Sequence, residues 1–139
     1  MEEVLLAVTN VAAGLLFGGM VAFAGFFAPL AFARLPEEVA NPFIRGIFPI
    51  YYVTATVVAA VAAFAAVFVS QPEAIVMWLV ALGFLFARYY LMPRTVAAHD
   101  ARERGDAGAA ERFADLHKRS AFLNIVQIVA TMVVLIRMV

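Results

Sequence analysis

The sequence has no cysteine and few charged residues. Without cysteine it forms no disulfide, thiolate metal site or iron–sulfur cluster. Charged residues make up 14% of its 139 residues, against roughly 25% in an ordinary soluble domain. The net charge is zero, so we expect no nucleic-acid partner. The low share of charged residues argues against a soluble domain.

Motifs of catalysis are also missing. There is no GxSxG, no HExxH, no phosphate-binding loop and no carboxylate pair within the apolar segments. We therefore expect a protein that is not an enzyme, and we expect no cofactor.

Apolar residues dominate what is present. They make up 65% of the chain, with a mean hydropathy of +0.95. About 20 apolar residues cross a bilayer core of roughly 30 Å. Four segments meet this need, at residues 4–33, 50–69, 74–92 and 121–138. We predict an all-α integral membrane four-helix bundle in the lipid bilayer, a single transmembrane domain over 1–139 made of two antiparallel hairpins.

Local signals predict how the spans are joined. Residues 94–118 should form a helical hairpin that turns at Gly105-Asp106-Ala107-Gly108. Asn41-Pro42 predicts a short interfacial helix from Phe43 to Phe48, before Pro49 opens the second span. Ser70-Gln71-Pro72-Glu73 reads as a capping box for the third span.

Basic residues lie almost entirely on one side of the predicted spans. Of the ten Lys and Arg residues, only Arg137 lies on the side that holds the two termini. By the positive-inside rule, both termini should be outside and the long connections cytoplasmic. We expect the plasma membrane, which in a bacterium is the inner membrane.

The last span carries a polar stripe. His117, Ser120, Asn124, Gln127 and Thr131 follow steps of three and four residues, which places them on one helix face. Polar groups in hydrocarbon need partners, so this face should point to protein or water.

A candidate ligand-binding site follows from matching depths on the other spans. Tyr51 and Tyr52 begin the second span, and Arg88 lies near the end of the third. With His117, Ser120, Asn124 and Gln127 they would line a site open to the cytoplasm. Arg88 has no carboxylate partner within a span, so it either extends to the interface, plays an inward structural role, or contacts a ligand.

The two histidines flank the glycine turn. His99 and His117 would lie near Asp100, Glu103, Glu111 and Asp115 if the hairpin brought them together, a donor set suited to a divalent metal. The alternative is that both are solvated.

Two stripes of small residues predict close helix contacts. They are Gly14-x-x-x-Gly18 and Ala55-x-x-x-Ala59-x-x-x-Ala63. Packing within one bundle is favoured over a homodimer face.

Several segments resemble a known family. They are Phe27-Ala28-Pro29-Leu30, Phe48-Pro49-Ile50-Tyr51-Tyr52, Met92-Pro93 with His99-Asp100, and Leu116-His117-x-x-Ser120-x-x-x-Asn124-x-x-Gln127. The chain is similar to the transmembrane-protein-205-like family, also called domain-of-unknown-function family 4149. The resemblance implies a small four-span membrane protein and no established activity. The first span has no histidine, which counts against a haem role.

Three hypotheses follow. The first is binding or translocation of a small polar or anionic solute or ion, which as transport would require a homo-oligomer because four helices are few. The second is a structural or assembly protein whose polar stripe only holds helices together. The third is a haem- or metal-associated membrane protein.

Overall fold

The computed structural model describes residues 1–139 and is helical throughout, which confirms the all-α four-helix bundle. Four helices are long and apolar enough to cross a membrane. Two of them contain a π turn, in which backbone bonds join residues five apart. The elements in order are α1 (Glu2–Ala22), the first π turn (Phe23–Phe27), α2 (Ala28–Arg34), α3 (Glu37–Ala66), α4 (Gln71–Phe86), the second π turn (Ala87–Leu91), α5 (Met92–Glu103) and α6 (Ala109–Met138).

The helices form a square bundle. Going round it, α1 lies beside α3, α3 beside α4, α4 beside α6 and α6 beside α1, while no Cα atoms approach within 8 Å across the diagonals α1–α4 and α3–α6. Ala55, Ala59 and Ala63 are buried, so the predicted alanine stripe is confirmed as packing inside the bundle.

The glycine stripe behaves differently. A Cβ atom added at Gly14 or Gly18 would meet no neighbouring atom within 4 Å. The expectation that this pair packs tightly within the bundle is wrong, and the open face of α1 becomes relevant to the site below.

The predicted glycine turn between α5 and α6 is confirmed. Gly105 and Gly108 have φ angles of 76° and 73°, a left-handed conformation that glycine adopts without strain. The Asp106 N–H bonds the Ala101 carbonyl at 3.0 Å and the Gly105 N–H bonds the Arg102 carbonyl at 2.9 Å, which is a Schellman ending of α5. We call this side of the bundle the hairpin end, and the opposite side the terminal end.

The short helix predicted over Phe43–Phe48 is not a separate element. α3 is continuous from Glu37 to Ala66 and contains both Pro42 and Pro49. Each proline removes one backbone donor. The helix nevertheless continues, because α3 packs against α2 on one side and against the second π turn on the other. These contacts hold the segment in place.

The predicted capping box forms different bonds. Ser70 is the residue before α4, but its side chain makes no bond to a helix N–H. Its hydroxyl instead donates to the Glu73 carboxylate. The reciprocal pattern of a capping box is therefore wrong here, although Ser70 and Glu73 do meet.

Candidate functional site

A cavity of about 500 Å³ lies in the hairpin-end half of the bundle. We call it the chamber; its walls are contributed within residues 21–28, 48–52 and 117–128, together with Ala87. Six of the seven residues predicted to bind a ligand line it: Tyr51, Tyr52, His117, Ser120, Asn124 and Gln127. Its volume falls in the range of small-molecule sites. Sequence reasoning thus located residues that meet around one cavity, and ligand binding itself stays a prediction.

The chamber lies beside both π turns. Ala28 N–H donates to the Phe23 carbonyl, and the next residue, Pro29, has no N–H. The carbonyl of Ala24 therefore lacks the helical donors four and five residues on. The Met92 N–H likewise donates to the Ala87 carbonyl, and the next residue is Pro93. The Arg88 carbonyl therefore also lacks the helical donors four and five residues on. π turns of this kind are frequent at functional sites.

Aromatic rings form one wall. Phe23 and Tyr51 stack with centroids 4.3 Å apart, and Tyr52 stacks on Phe48 at 5.5 Å. Phe84, which is fully buried, contacts the two tyrosine rings at 6.0 and 6.5 Å. Each pair of this type contributes about 0.5–1.5 kcal/mol beyond its buried area. These contacts hold the two tyrosine rings in place along this side of the chamber.

The polar stripe of α6 divides into two parts with different roles. Toward the terminal end, Gln127 and Thr131 are buried and satisfied: the Gln127 Nε2 donates to the Val80 carbonyl at 3.1 Å, and the Thr131 hydroxyl donates to the Gln127 carbonyl at 2.8 Å. The Gln127 amide reaches Val80 because α4 has Gly83 at the crossing, where a Cβ would lie 2.8 Å from Nε2.

Toward the hairpin end the stripe is nearly free of partners. His117 and Ser120 make no side-chain hydrogen bond. Asn124 has one long contact, in which the Tyr51 hydroxyl lies 3.5 Å from its Oδ1 across the bundle diagonal. Donors and acceptors here are available to a bound molecule.

A neck and a vestibule connect the chamber to the hairpin end. The neck is a smaller cavity of about 250 Å³ that shares Tyr52, His117 and Ser120 with the chamber. It shares Arg45 and His99 with the vestibule, a surface cavity of about 540 Å³ whose lining also includes the four carboxylates Glu37, Glu38, Asp100 and Glu103.

Arg45 joins α3 to α5 at this junction. One guanidinium nitrogen lies 2.9 Å from Asp100 Oδ1 and 3.1 Å from His99 Nδ1. The hydrogen bond from Arg45 holds the pKa of the Asp100 carboxyl below its usual range. Asp100 Oδ1 also lies 3.6 Å from His99 Nδ1, so the three side chains form one cluster.

A family model for a domain of unknown function, DUF4149, matches residues 11–104, more than half of the chain. The chain belongs to the DUF4149 family. No curated protein and no solved structure matches it. The matched range includes both π turns and the two tyrosines and ends before α6. The Leu116-to-Gln127 part of the sequence resemblance therefore lies outside it.

In this DUF4149 protein Arg88 does not line the chamber. The face of the third span that points inward passes through Phe84, Ala87 and Leu91, all buried. Arg88 is half-buried beside the exposed Tyr89, with its guanidinium carbon 5.1 Å from the centre of that ring. Its Nε is buried without a partner. The prediction that Arg88 joins the other six residues at the site is wrong, because Ala87 and Leu91 occupy the inward face of this part of the span.

The hairpin does not bring the histidines into one metal site. The Phe113 ring lies between them, with its centroid 5.5 Å from His99 and 6.1 Å from His117. No group of three or more histidine, aspartate or glutamate side chains is arranged to hold a metal ion. Both histidines instead line the neck.

Sequence reasoning missed two interactions of this DUF4149 protein. Arg137 Nε lies 2.5 Å from a carboxylate oxygen of Glu73, whose side chain is only 5% exposed, and this pair ties α6 to α4 at the terminal end. Asn10 also joins α1 to α6 there, through its Nδ2 and the Met138 carbonyl at 3.1 Å. The available signal for the first pair was that Arg137 is the one basic residue on the side of the membrane that holds Glu73, together with Glu2 and Glu3.

Proposed function

We propose that this protein is a non-enzymatic membrane binding protein that holds a small uncharged amphipathic molecule in the chamber. The observation that carries the proposal is the separation of the chamber lining into an aromatic and apolar wall and one row of polar groups, His117, Ser120 and Asn124. Among these three side chains, only Asn124 has a hydrogen-bond contact, at 3.5 Å from the Tyr51 hydroxyl. An apolar cavity with a few convergent polar groups is the usual form of a small-molecule site.

Charge favours a neutral ligand over the anionic solute considered from sequence. Arg88 lies outside the chamber, and His117 is its one titratable group besides the tyrosines. The vestibule carries four carboxylates against Arg45, which already pairs with Asp100. A negative mouth repels anions, and an apolar chamber without a fixed charge does not compensate for the hydration an ion would lose.

The chamber is open toward the hairpin end and closed toward the terminal end. On the side of the chamber that faces the terminal end, the fully buried side chains of Met20, Met77 and Phe84 fill the bundle. By the positive-inside rule the open end faces the cytoplasm. The structure therefore supports binding from the cytoplasmic side more directly than passage through the bundle; transport would need a second conformation and, in our view, an assembly of several copies.

A structural role is the second candidate, and Gln127 favours it. Its hydrogen bond to Val80 joins α6 to α4 in the buried part of the bundle. This role accounts for Gln127 and Thr131, but it leaves Ser120 and His117 without a purpose, since neither bonds another helix.

The experiment compares three molecules that share one ring: benzyl alcohol, benzoate and benzylammonium. Saturation-transfer NMR on the protein in lipid nanodiscs measures the contact of each ring with the protein. We expect benzyl alcohol to give the largest signal and Asn124→Leu to reduce it, because that change removes a polar group of the chamber. Gln127→Leu is the matched control on the same stripe, and it should retain binding while losing stability. A benzoate signal above that of benzyl alcohol, or equal signals in wild type and Asn124→Leu, would refute the proposal.

A further inference from the structure

The chamber also has an opening on its side. α1 packs against α6, but no Cα atom of the first π turn or of α2 lies within 8 Å of α6. The hairpin-end half of the first span therefore stands away from the last. Gly25 on one side and Ile125 on the other are exposed, and both line the chamber. At this depth the opening faces the hydrocarbon of the bilayer and not water.

A smooth surface continues from this opening along α1. Val21 lines the chamber, and Gly18 and Gly14 lie three and seven residues before it, on the same helix face. Neither glycine, nor Gly25, has a neighbouring atom within 4 Å of the place a Cβ would occupy. The gap between the two helices thus has room beside the backbone of α1.

Polarity changes along the gap in one direction. On α6 the polar residues His117, Ser120 and Asn124 lie toward the hairpin end, and the apolar Ile125 and Ile128 follow. Gln127 lies between these two, but its amide is bonded to the Val80 carbonyl. From His117 to Ile128 the helix rises by roughly 16 Å, at 1.5 Å per residue. This is the polarity of a lipid-like molecule with its head toward one membrane surface and its chain toward the bilayer centre.

We propose that the ligand is a single-chain amphiphile with an uncharged head group, which enters from the bilayer through the gap between α1 and α6. Its head would meet Ser120 and Asn124, and its chain would lie against Gly25 and Ile125. One chain is specified because the chamber, at about 500 Å³, has the size of a site for one drug-sized molecule. This inference rests on the proposed function and adds the class of ligand and its route.

The test uses 1-dodecanol carrying a photoreactive diazirine on its chain, with the protein in lipid nanodiscs. We expect labelling that saturates, is displaced by unlabelled 1-dodecanol and maps to the stretches 21–28 and 121–128. The dodecanoate analogue should label these stretches several-fold less, because its head is charged.

Two substitutions close the gap from opposite walls, Gly25→Leu and Ile125→Trp, and each should reduce the specific labelling several-fold. The control is Gly19→Leu on the same helix, where a Cβ also meets nothing within 4 Å but the residue lines the α1–α3 side. If Gly25→Leu does not fold, the specific labelling of Ile125→Trp tests the lateral route by itself.

Labelling spread over all lipid-facing surfaces, or unchanged in Ile125→Trp, would overturn the lateral route. If benzyl alcohol still binds in that case, only this inference fails. If benzyl alcohol also fails to bind, the proposed function fails with it.

Discussion

Replacing Gly83 by alanine tests how the Gln127 amide is held in the bundle. In an ordinary helix interior this change gains about 0.8–1 kcal/mol, because alanine is the better helix former. Here the new Cβ would lie 2.8 Å from Gln127 Nε2, so the amide has to move. It then loses its hydrogen bond to the Val80 carbonyl and leaves a buried polar group unpaired, at a cost of about 1–3 kcal/mol. We expect a net loss of up to roughly 2 kcal/mol.

The sign of the effect should depend on Gln127. The leucine side chain is one bond shorter than that of glutamine and has no polar group that could be buried unpaired. The Val80 carbonyl keeps its backbone hydrogen bond within α4. In a Gln127→Leu background, Gly83→Ala should therefore stabilise the protein by up to about 1 kcal/mol. The coupling between the two sites then amounts to roughly 1–3 kcal/mol, the size expected for residues in direct contact.

The measurement is equilibrium unfolding in mixed micelles, followed by circular dichroism, for wild type, both single variants and the double variant. Gly19→Ala is the control, since a Cβ there meets nothing within 4 Å and should not destabilise. If Gly83→Ala destabilises both backgrounds equally, the contact with Gln127 is not the cause and the account of the crossing is wrong.

Further changes test other parts of the molecule. Arg137→Met should destabilise the bundle more than Glu73→Gln in the same unfolding assay, because only the first leaves a nearly buried carboxylate without its cation. The Arg45–Asp100 pair should make stability fall at acid pH: the pKa of Asp100 is lowered in the folded state, so its contribution is present above the unfolded pKa and lost as pH falls through the folded one. Thermal midpoints against pH should show this slope, and Arg45→Gln should lose it. A cysteine placed at Ala107, in a chain that has none of its own, should react with a membrane-impermeant maleimide only after the cell is opened, and reaction in intact cells would contradict the topology.

Much of the site was predictable because helix periodicity depends on the local sequence alone. The three- and four-residue steps on α6 placed Ser120, Asn124 and Gln127 on one face, and matching depth in the membrane brought Tyr51 and Tyr52 to them. The glycine turn was equally local, since a positive φ at Gly105 and Gly108 follows from what glycine tolerates.

What escaped prediction depends on contacts between elements. Pro42 and Pro49 are helix-breaking signals, yet α3 runs through both because its neighbours hold it. Arg88 was a site candidate because no carboxylate within a span could pair with it, but the buried face of the third span passes through Ala87 and Leu91 instead. The role of Gly83 could not be seen without knowing that Gln127 crosses it.

The two π turns carry a consequence for how this protein tolerates changes in length. A π turn holds one residue more than the α-helical turn it replaces, so a deletion of one residue there returns the chain to an ordinary helix. In most membrane helices such a deletion rotates every later side chain away from its partners. Within Phe23–Phe27 it would instead remove the bulge and turn α2 relative to α1. The direction in which α2 leaves α1, and with it the position of α2 relative to α6, therefore depends on a single residue of chain length.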